Sequence, residues 1–274
     1  MNTATVSTPR LTHLVDGLVS TLRAFIREQH LTHDEYRQAV GFLVQTAEHG
    51  EIPLLLDVLF ESTVDQVNSA GRPGTETCVE GPYYVPNAPV MNSPAVLPHR
   101  ENEPGNLLFF SGAVRSTDGA PLPGATLDIW QSDASGAYSH YNIQEADAPF
   151  NLRARVIADQ NGCFDVQTWV PVPYEIPKAG PTGALLTAVG QHAWRPAHLH
   201  IRITHAACET LTTQIFFTGD PWINADVVGA VKPSLITTLI RHDDSVEMRN
   251  RKIERPFYTL SYDFELGQSM AIAA

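Results

Sequence analysis

Prolines divide this chain more sharply than any other residue: only Pro9 and Pro53 lie in the first 70 of its 274 positions, and the other 18 of 20 follow. Proline lacks an amide hydrogen and fixes φ, so it interrupts long helices. Extended helix is therefore confined to the first 70 residues, and the rest must be assembled from short segments. Within the first part, Leu11, Leu14, Val15, Leu18, Leu22, Phe25 and Ile26 recur at helical spacing, which puts one apolar stripe on one helical face. Thr32 with Glu35 predicts a capping box that starts a second helix running to about Ala47. Pro53 suits the first turn of a third, Leu54 to Val67.

From Gly71 on, prolines and glycines delimit runs rich in β-branched and aromatic residues: Leu107 to Val114, Thr126 to Trp130, Phe164 to Val170, Leu199 to Ile203 and Thr212 to Phe217. Asp118-Gly119 and Asn161-Gly162 sit between such runs, where tight turns need positive φ. The expected architecture is mainly β: a helical segment over 1–70 followed by a β-sandwich over 71–274.

Composition removes several functions. No run reaches the roughly 18 apolar residues of a membrane span, and a net charge of -12 argues against a surface that tracks phosphates. No nucleic acid and no membrane span are therefore expected, and the ligand is expected to be small. The start MNTATVSTPR lacks the basic and apolar stretches of a secretory signal, so the cytoplasm is the expected location. Cys78, Cys163 and Cys208 are odd in number and widely spaced, which suits buried thiols better than disulfides or a metal clamp.

The sharpest local feature is Arg195-Pro196-Ala197-His198-Leu199-His200-Ile201-Arg202-Ile203, where polar and apolar residues alternate. His198 and His200 then share a sheet face, about 6 to 7 Å apart at a rise of about 3.3 Å per residue, and can converge on one metal ion. Alone, the pair equally fits two half-exposed strand histidines. No HExxH or Cys/His cluster supports zinc, and the residue two after His198 is another His where a ferrous facial triad would want a carboxylate. Tyrosine does occur in loop contexts, as Tyr138 in Ser135-Gly136-Ala137-Tyr138 and Tyr174 after Pro171-Val172-Pro173. Phenolate oxygen is a donor that suits ferric iron.

Five blocks extend this set: Glu80-Gly81-Pro82-Tyr83-Tyr84, Asp128-Ile129-Trp130-Gln131 leading to Tyr138, Val170 to Pro177, Arg195 to His200, and Thr212-Thr213-Gln214-Ile215. In order and spacing, from about Leu54 to Asp263-Phe264, they resemble the intradiol ring-cleavage dioxygenases. That resemblance implies one Fe(III) per chain held by Tyr138, Tyr174, His198 and His200, and a catechol-type substrate opened with O2. It implies catalytic roles for Tyr174, which leaves the metal as substrate binds, for Arg195, which stabilises the electron-rich ring, and for Gln214 beside it. A homodimer through the N-terminal helices is implied too. The ligand set has its own logic: phenols ionise near pH 10, so two phenolates at neutral pH need a strongly charged cation.

By the same resemblance the substrate pocket is formed by Leu54, Asp57, Val79, Gly81, Pro82, Tyr83, Ile176, Pro177, Arg195 and Val228, with Val227 nearby. Asp57 and the Ile176-Pro177 pair resemble relatives that cleave hydroxyquinol, so benzene-1,2,4-triol is the expected substrate, with catechol or a substituted catechol as the alternative. Tyr83 and Glu175 depart from the family pattern, where Phe or Leu and Pro are usual. Gly112-Ala113-Val114 and Asp159-Gln160-Asn161-Gly162 also occur in prealbumin-like binding modules, but such a scaffold has no use for four metal donors.

Overall fold

Residues 7–141 and 148–269 are described in a computed structural model of the chain, which divides into the units Met1–Ile52 and Pro53–Ala274. In the first unit, helix α1 (Thr8–Glu28) takes Pro9 in its first turn, and α2 (His33–Glu48) begins at the expected capping box. The Thr32 amide donates to Glu35 Oε2 at 2.8 Å, and the Glu35 amide donates to Thr32 Oγ1 at 3.3 Å, so two otherwise free amides are satisfied. α1 buries none of its residues; Leu11 is 51% and Leu18 61% exposed.

The second unit opens with α3 (Ile52–Leu56), a π-helical turn (Asp57–Glu61) and α4 (Ser62–Ser69). One continuous helix was expected here; the π turn interrupts it, a distortion common at functional sites. The units divide at Ile52/Pro53 and not near residue 70, because this helical stretch is fastened to the β-rich part. Val58 is buried in the β core, Asp65 pairs with Lys232 Nζ at 2.7 Å, and Thr77 Oγ1 donates to Asp65 at 2.6 Å.

Strands β1 (Val90–Asn92), β2 (Ala95–Val96), β3 (Leu107–Ser116), β4 (Thr126–Trp130), β5 (Arg153–Ile157), β6 (Cys163–Trp169), β7 (Tyr174–Glu175), β8 (Trp194–Arg195), β9 (His198–Thr204), β10 (Leu211–Phe217), β11 (Ile236–Thr237), β12 (Ile240–His242), β13 (Phe257–Ser261) and β14 (Phe264–Leu266) follow. One sheet runs β1-β5-β4-β9-β10-β11; a second runs β12-β13-β3-β6-β2 with β14 also on β3; β7 and β8 form a separate ribbon. Phe110, Val114, Phe164 and Val166 of the second sheet share one buried cluster with Leu127, Ile129, Ile201 and Ile215 of the first. The fold is mainly β, with the expected runs within a residue or two of the observed strands. The Asp118-Gly119 and Asn161-Gly162 turns place Gly119 at φ 86° and Gly162 at φ 73°. Among the described residues no helix is long and apolar enough to cross a membrane.

Candidate active site

Antiparallel register across three central strands builds the site. Trp130 on β4 faces His200 on β9, and His200 faces Gln214 on β10. The Trp130 ring stacks on His200 with centroids 4.7 Å apart and planes 8° apart, which fixes the imidazole's tilt. His198 and His200 share a face as expected. Leu199 and Ile201 on the opposite face are buried as well, so the His198–Ile201 part of β9 is covered on both sides.

His198 Nδ1 lies 2.7 Å from the Pro196 carbonyl, which can only accept, so Nδ1 carries the proton and Nε2 presents a lone pair. That Nε2 lies 3.0 Å from His200 Nε2 and 3.4 Å from Tyr138 Oη. Burial, with help from Arg195, drives His198 down to about 3; burial and His198 hold His200 well below its ordinary value. Both rings are neutral, the state in which imidazole ligates metal.

Two tyrosines complete the cluster. The loop before Tyr138 is set by Asp133, whose Oδ1 accepts from the Ser135 amide at 2.8 Å and the Ala137 amide at 3.0 Å. Gly136 turns there at φ 82°, and a Cβ on it would lie 2.8 Å from Tyr174 Cβ, so only glycine lets the two tyrosine segments approach this closely. The Tyr138 and Tyr174 rings meet at 5.4 Å. Burial raises both phenols above their ordinary value; at Tyr174 the Arg195 cation works against burial. Buried phenols of this kind ionise beside a strong cation.

Arg153 stands behind Tyr138, 5.7 Å above its ring. Its guanidinium donates to Ser139 Oγ and to the Tyr83 carbonyl, each at 2.6 Å, and among the described residues no carboxylate pairs with it. Burial pulls it down to about 10, while Tyr138 works the other way. Arg153 thus offsets part of the burial that opposes a negative oxygen on Tyr138. Among the described residues no group of three or more His, Cys, Asp or Glu is gathered, so a cation at this cluster would depend on tyrosine oxygens. Two neutral nitrogens and two hard oxygens in a dry pocket are a donor set that fits ferric iron better than zinc.

Arg195 lies opposite Tyr174 in the β7–β8 ribbon. Its Nη1 is 3.4 Å from His198 Nε2, and its Nη2 donates to Gln214 Oε1 at 2.9 Å. Gln214 Nε2 donates in turn to the Val79 carbonyl at 2.7 Å. Behind the arginine stands Asp226, accepting from Arg195 Nε at 3.1 Å and Nη2 at 3.2 Å, and from the Ala230 amide at 3.0 Å. Burial alone would raise the Asp226 carboxyl, yet Arg195 holds it below the ordinary carboxylate range.

Leu54, Asp57, Val79, Gly81, Pro82, Tyr83, Tyr174, Ile176, Arg195 and Val228 line one narrow cleft of about 20 Å³, joined by Val58 and Glu61. Pro177 is the exception. Tyr174 and Ile176 alternate inward, which turns Pro177 out to solvent, and it takes no part in the lining. Val227 packs against the core outside the cleft. The Tyr83 ring stacks on Tyr138 at 4.4 Å, joining cleft and metal-type cluster. Asp226, Arg153, Val58 and Glu61 carry no sequence motif; only the spacing of Glu61, one turn after Asp57, was available to point to it.

Comparison with known proteins agrees with this geometry. Residues 79–268 match the dioxygenase family model, and 8–76 match the model for the catechol dioxygenase N terminus. A chlorocatechol 1,2-dioxygenase of Rhodococcus opacus is 40% identical over 236 residues, 85% of this chain and 91% of the relative. A hydroxyquinol 1,2-dioxygenase of Nocardioides simplex is 33% identical, over 94% of this chain and 89% of the relative. The crystal structure of 3-chlorocatechol 1,2-dioxygenase from Rhodococcus opacus superposes with a TM-score of 0.88 over 96% of this chain and all of that one. With matches across both parts of the chain and a tyrosine–histidine cluster beside an arginine-lined cleft, the chain belongs to the intradiol ring-cleavage dioxygenases, iron-dependent enzymes that open an aromatic diol with O2.

Proposed function

We propose that the chain binds one Fe(III) through Tyr138, Tyr174, His198 and His200 and opens substituted catechols of the chlorocatechol kind. The observation that carries the metal site is the convergence of the two imidazole Nε2 atoms, 3.0 Å apart, with Tyr138 Oη. Ferric iron supplies a Lewis-acid centre that makes a catecholate ring reactive toward O2. The chain's own residues do the rest. Tyr174 serves as proton acceptor for a substrate hydroxyl, its phenolate form favoured by Arg195. Arg195, held by Asp226 and Gln214, stabilises negative charge that develops on the ring in a site shielded from water.

Substrate choice rests on the cleft wall. Leu54, Val58, Val79, Ile176 and Val228 present aliphatic surface suited to an apolar ring substituent, and the 40% identical relative is named for chlorocatechol against 33% for the hydroxyquinol relative. Benzene-1,2,4-triol is the second reading, favoured by the Asp57 carboxyl on the same wall. Efficiency, kcat/KM, is expected to be highest on 4-chlorocatechol among catechol, 4-chlorocatechol and the triol. Asp57→Ala should cut efficiency on the triol by about ten- to hundred-fold, the weight of a hydrogen bond to a charged acceptor, and affect chlorocatechol much less. A wild-type protein fastest on the triol moves the assignment to the second reading, and equal losses on all three remove Asp57 from substrate choice.

The exposed stripe on α1, with Leu14, Leu22 and Phe25 also uncovered, is larger than a monomer ordinarily leaves to water. A second copy of the chain covers it in this reading. Light scattering is expected to give about twice the 30.1 kDa chain mass; a mass of one chain at micromolar concentration excludes the dimer. Cys78, Cys163 and Cys208 are free thiols, which suits the reducing cytoplasm.

A further inference from the structure

The cleft holds a second carboxyl that neither the metal-type cluster nor Arg195 uses. Asp57 and Glu61 open and close the π turn, and both line the cleft. One helical turn after Asp57, Glu61 shares the face of Leu54, Asp57 and Val58, whereas its neighbours Leu59, Phe60 and Val64 are exposed. It is half-buried, and the Gly81 amide, part of the Glu80-Gly81-Pro82-Tyr83 segment that forms the adjoining wall, acts to lower its carboxyl. Two carboxyls on one largely aliphatic wall, with Leu54 and Val58 between and beside them, are an expensive arrangement without a use.

We propose that Glu61 is a specificity-determining residue: with Asp57 it forms a two-carboxyl wall that selects the ring substituent by whether that substituent can donate a hydrogen bond. The proposal rests on the reading that this cleft takes the substrate ring. Burial first, and then the charge of Asp57, push the Glu61 carboxyl up to about 7; the Gly81 amide and Arg195 oppose that, and Glu80 adds to it. Glu80 is itself engaged with Arg202 at 3.2 Å. Burial also raises Asp57. The other titratable groups on the cleft are Tyr83 and Tyr174, phenols raised by burial.

The direction follows from the chemistry. Below pH 7 Glu61 is neutral, the wall carries less charge, and a chlorine substituent meets it at little desolvation cost. Above pH 7 Glu61 is ionised; the wall then rewards a donor hydroxyl and penalises chlorine. The ratio of kcat/KM on benzene-1,2,4-triol to that on 4-chlorocatechol should therefore rise as pH climbs from 6 to 8. Dividing the wild-type ratio by that of Glu61→Gln cancels the ionisation of the substrates themselves. This double ratio is expected to grow about three- to ten-fold over that interval, the weight of a partly screened charged hydrogen bond.

A protonated-carboxyl infrared band that titrates near pH 7 in the wild type and is missing from Glu61→Gln supplies a reading independent of turnover. Glu61→Asp, a shorter acid, should keep part of the pH dependence and covers the case in which the glutamine variant folds poorly. Both substrates cleaved with a flat double ratio overturns the role of Glu61 and leaves the proposed function standing. Failure of the iron-loaded protein to cleave any catechol overturns both.

Discussion

His200→Ala is expected to purify with less than a tenth of the iron of the wild type and without the red-brown colour that phenolate-to-iron charge transfer gives. His200 is 1% exposed, stacked on Trp130 and aimed at His198 Nε2 from 3.0 Å. Alanine removes one of the four proposed donors and leaves a cavity in place of the imidazole. Loss of a mere outer-shell partner lowers metal affinity about 10–100-fold, so loss of a ligand should exceed that. Metal analysis of protein expressed with ample iron, alongside visible absorbance, decides the point, with circular dichroism confirming the fold. Full iron and full colour in the variant contradict the site, as does stoichiometric zinc in the wild type.

Asp226→Ala should produce the largest loss of stability. The carboxylate is almost fully buried and answers the equally buried Arg195, so removing it leaves a buried guanidinium without its counter-ion. Breaking a buried pair in this way costs about 3–5 kcal/mol. For a protein of this size that corresponds to a melting temperature lower by roughly 6–20 °C. Turnover should fall as well, since Gln214 alone then orients Arg195. Acidity gives the sign. A carboxyl whose folded value is depressed contributes stability that is full above its unfolded value, near 3.9, and is lost as pH falls through the folded value. The gap in melting temperature between wild type and variant should hold from pH 7 to 5 and narrow below about pH 4. A gap that widens in acid, or a variant as stable as the wild type at neutral pH, contradicts the assigned pairing.

Much of this molecule can be read in its sequence wherever the signal is local. The capping box at Thr32 and Glu35, the strand Thr126–Trp130 and the same-face pair His198 and His200 each depend on residues within a few positions of one another, and each is found. What escapes is long-range or out of period. Asp226 meets Arg195 across 31 positions, and nothing near it in the chain announces an arginine. Arg153 looks like an ordinary charged strand residue; only the closed sandwich reveals that it is sealed behind Tyr138. The π turn breaks helical periodicity over Asp57–Glu61, where the residue pattern alone suggests an unbroken helix. Pro177 shows the reverse case: resemblance assigns it to the pocket, but it is exposed just beyond the short strand Tyr174–Glu175 and outside the cleft lining.

The uneven make-up of the cleft also says where such an enzyme can change over evolutionary time. Four of its twelve lining residues, Leu54, Asp57, Val58 and Glu61, come from one eight-residue stretch. Across from them the tyrosine segments are jammed together at Gly136, where a single added carbon is refused. One wall can thus be rewritten by a handful of codon changes, and the other permits almost none. New ring substituents can be accommodated by drift along that short helix while the machinery opposite is inherited intact, and a graft of those eight positions between relatives is the economical way to transplant substrate choice.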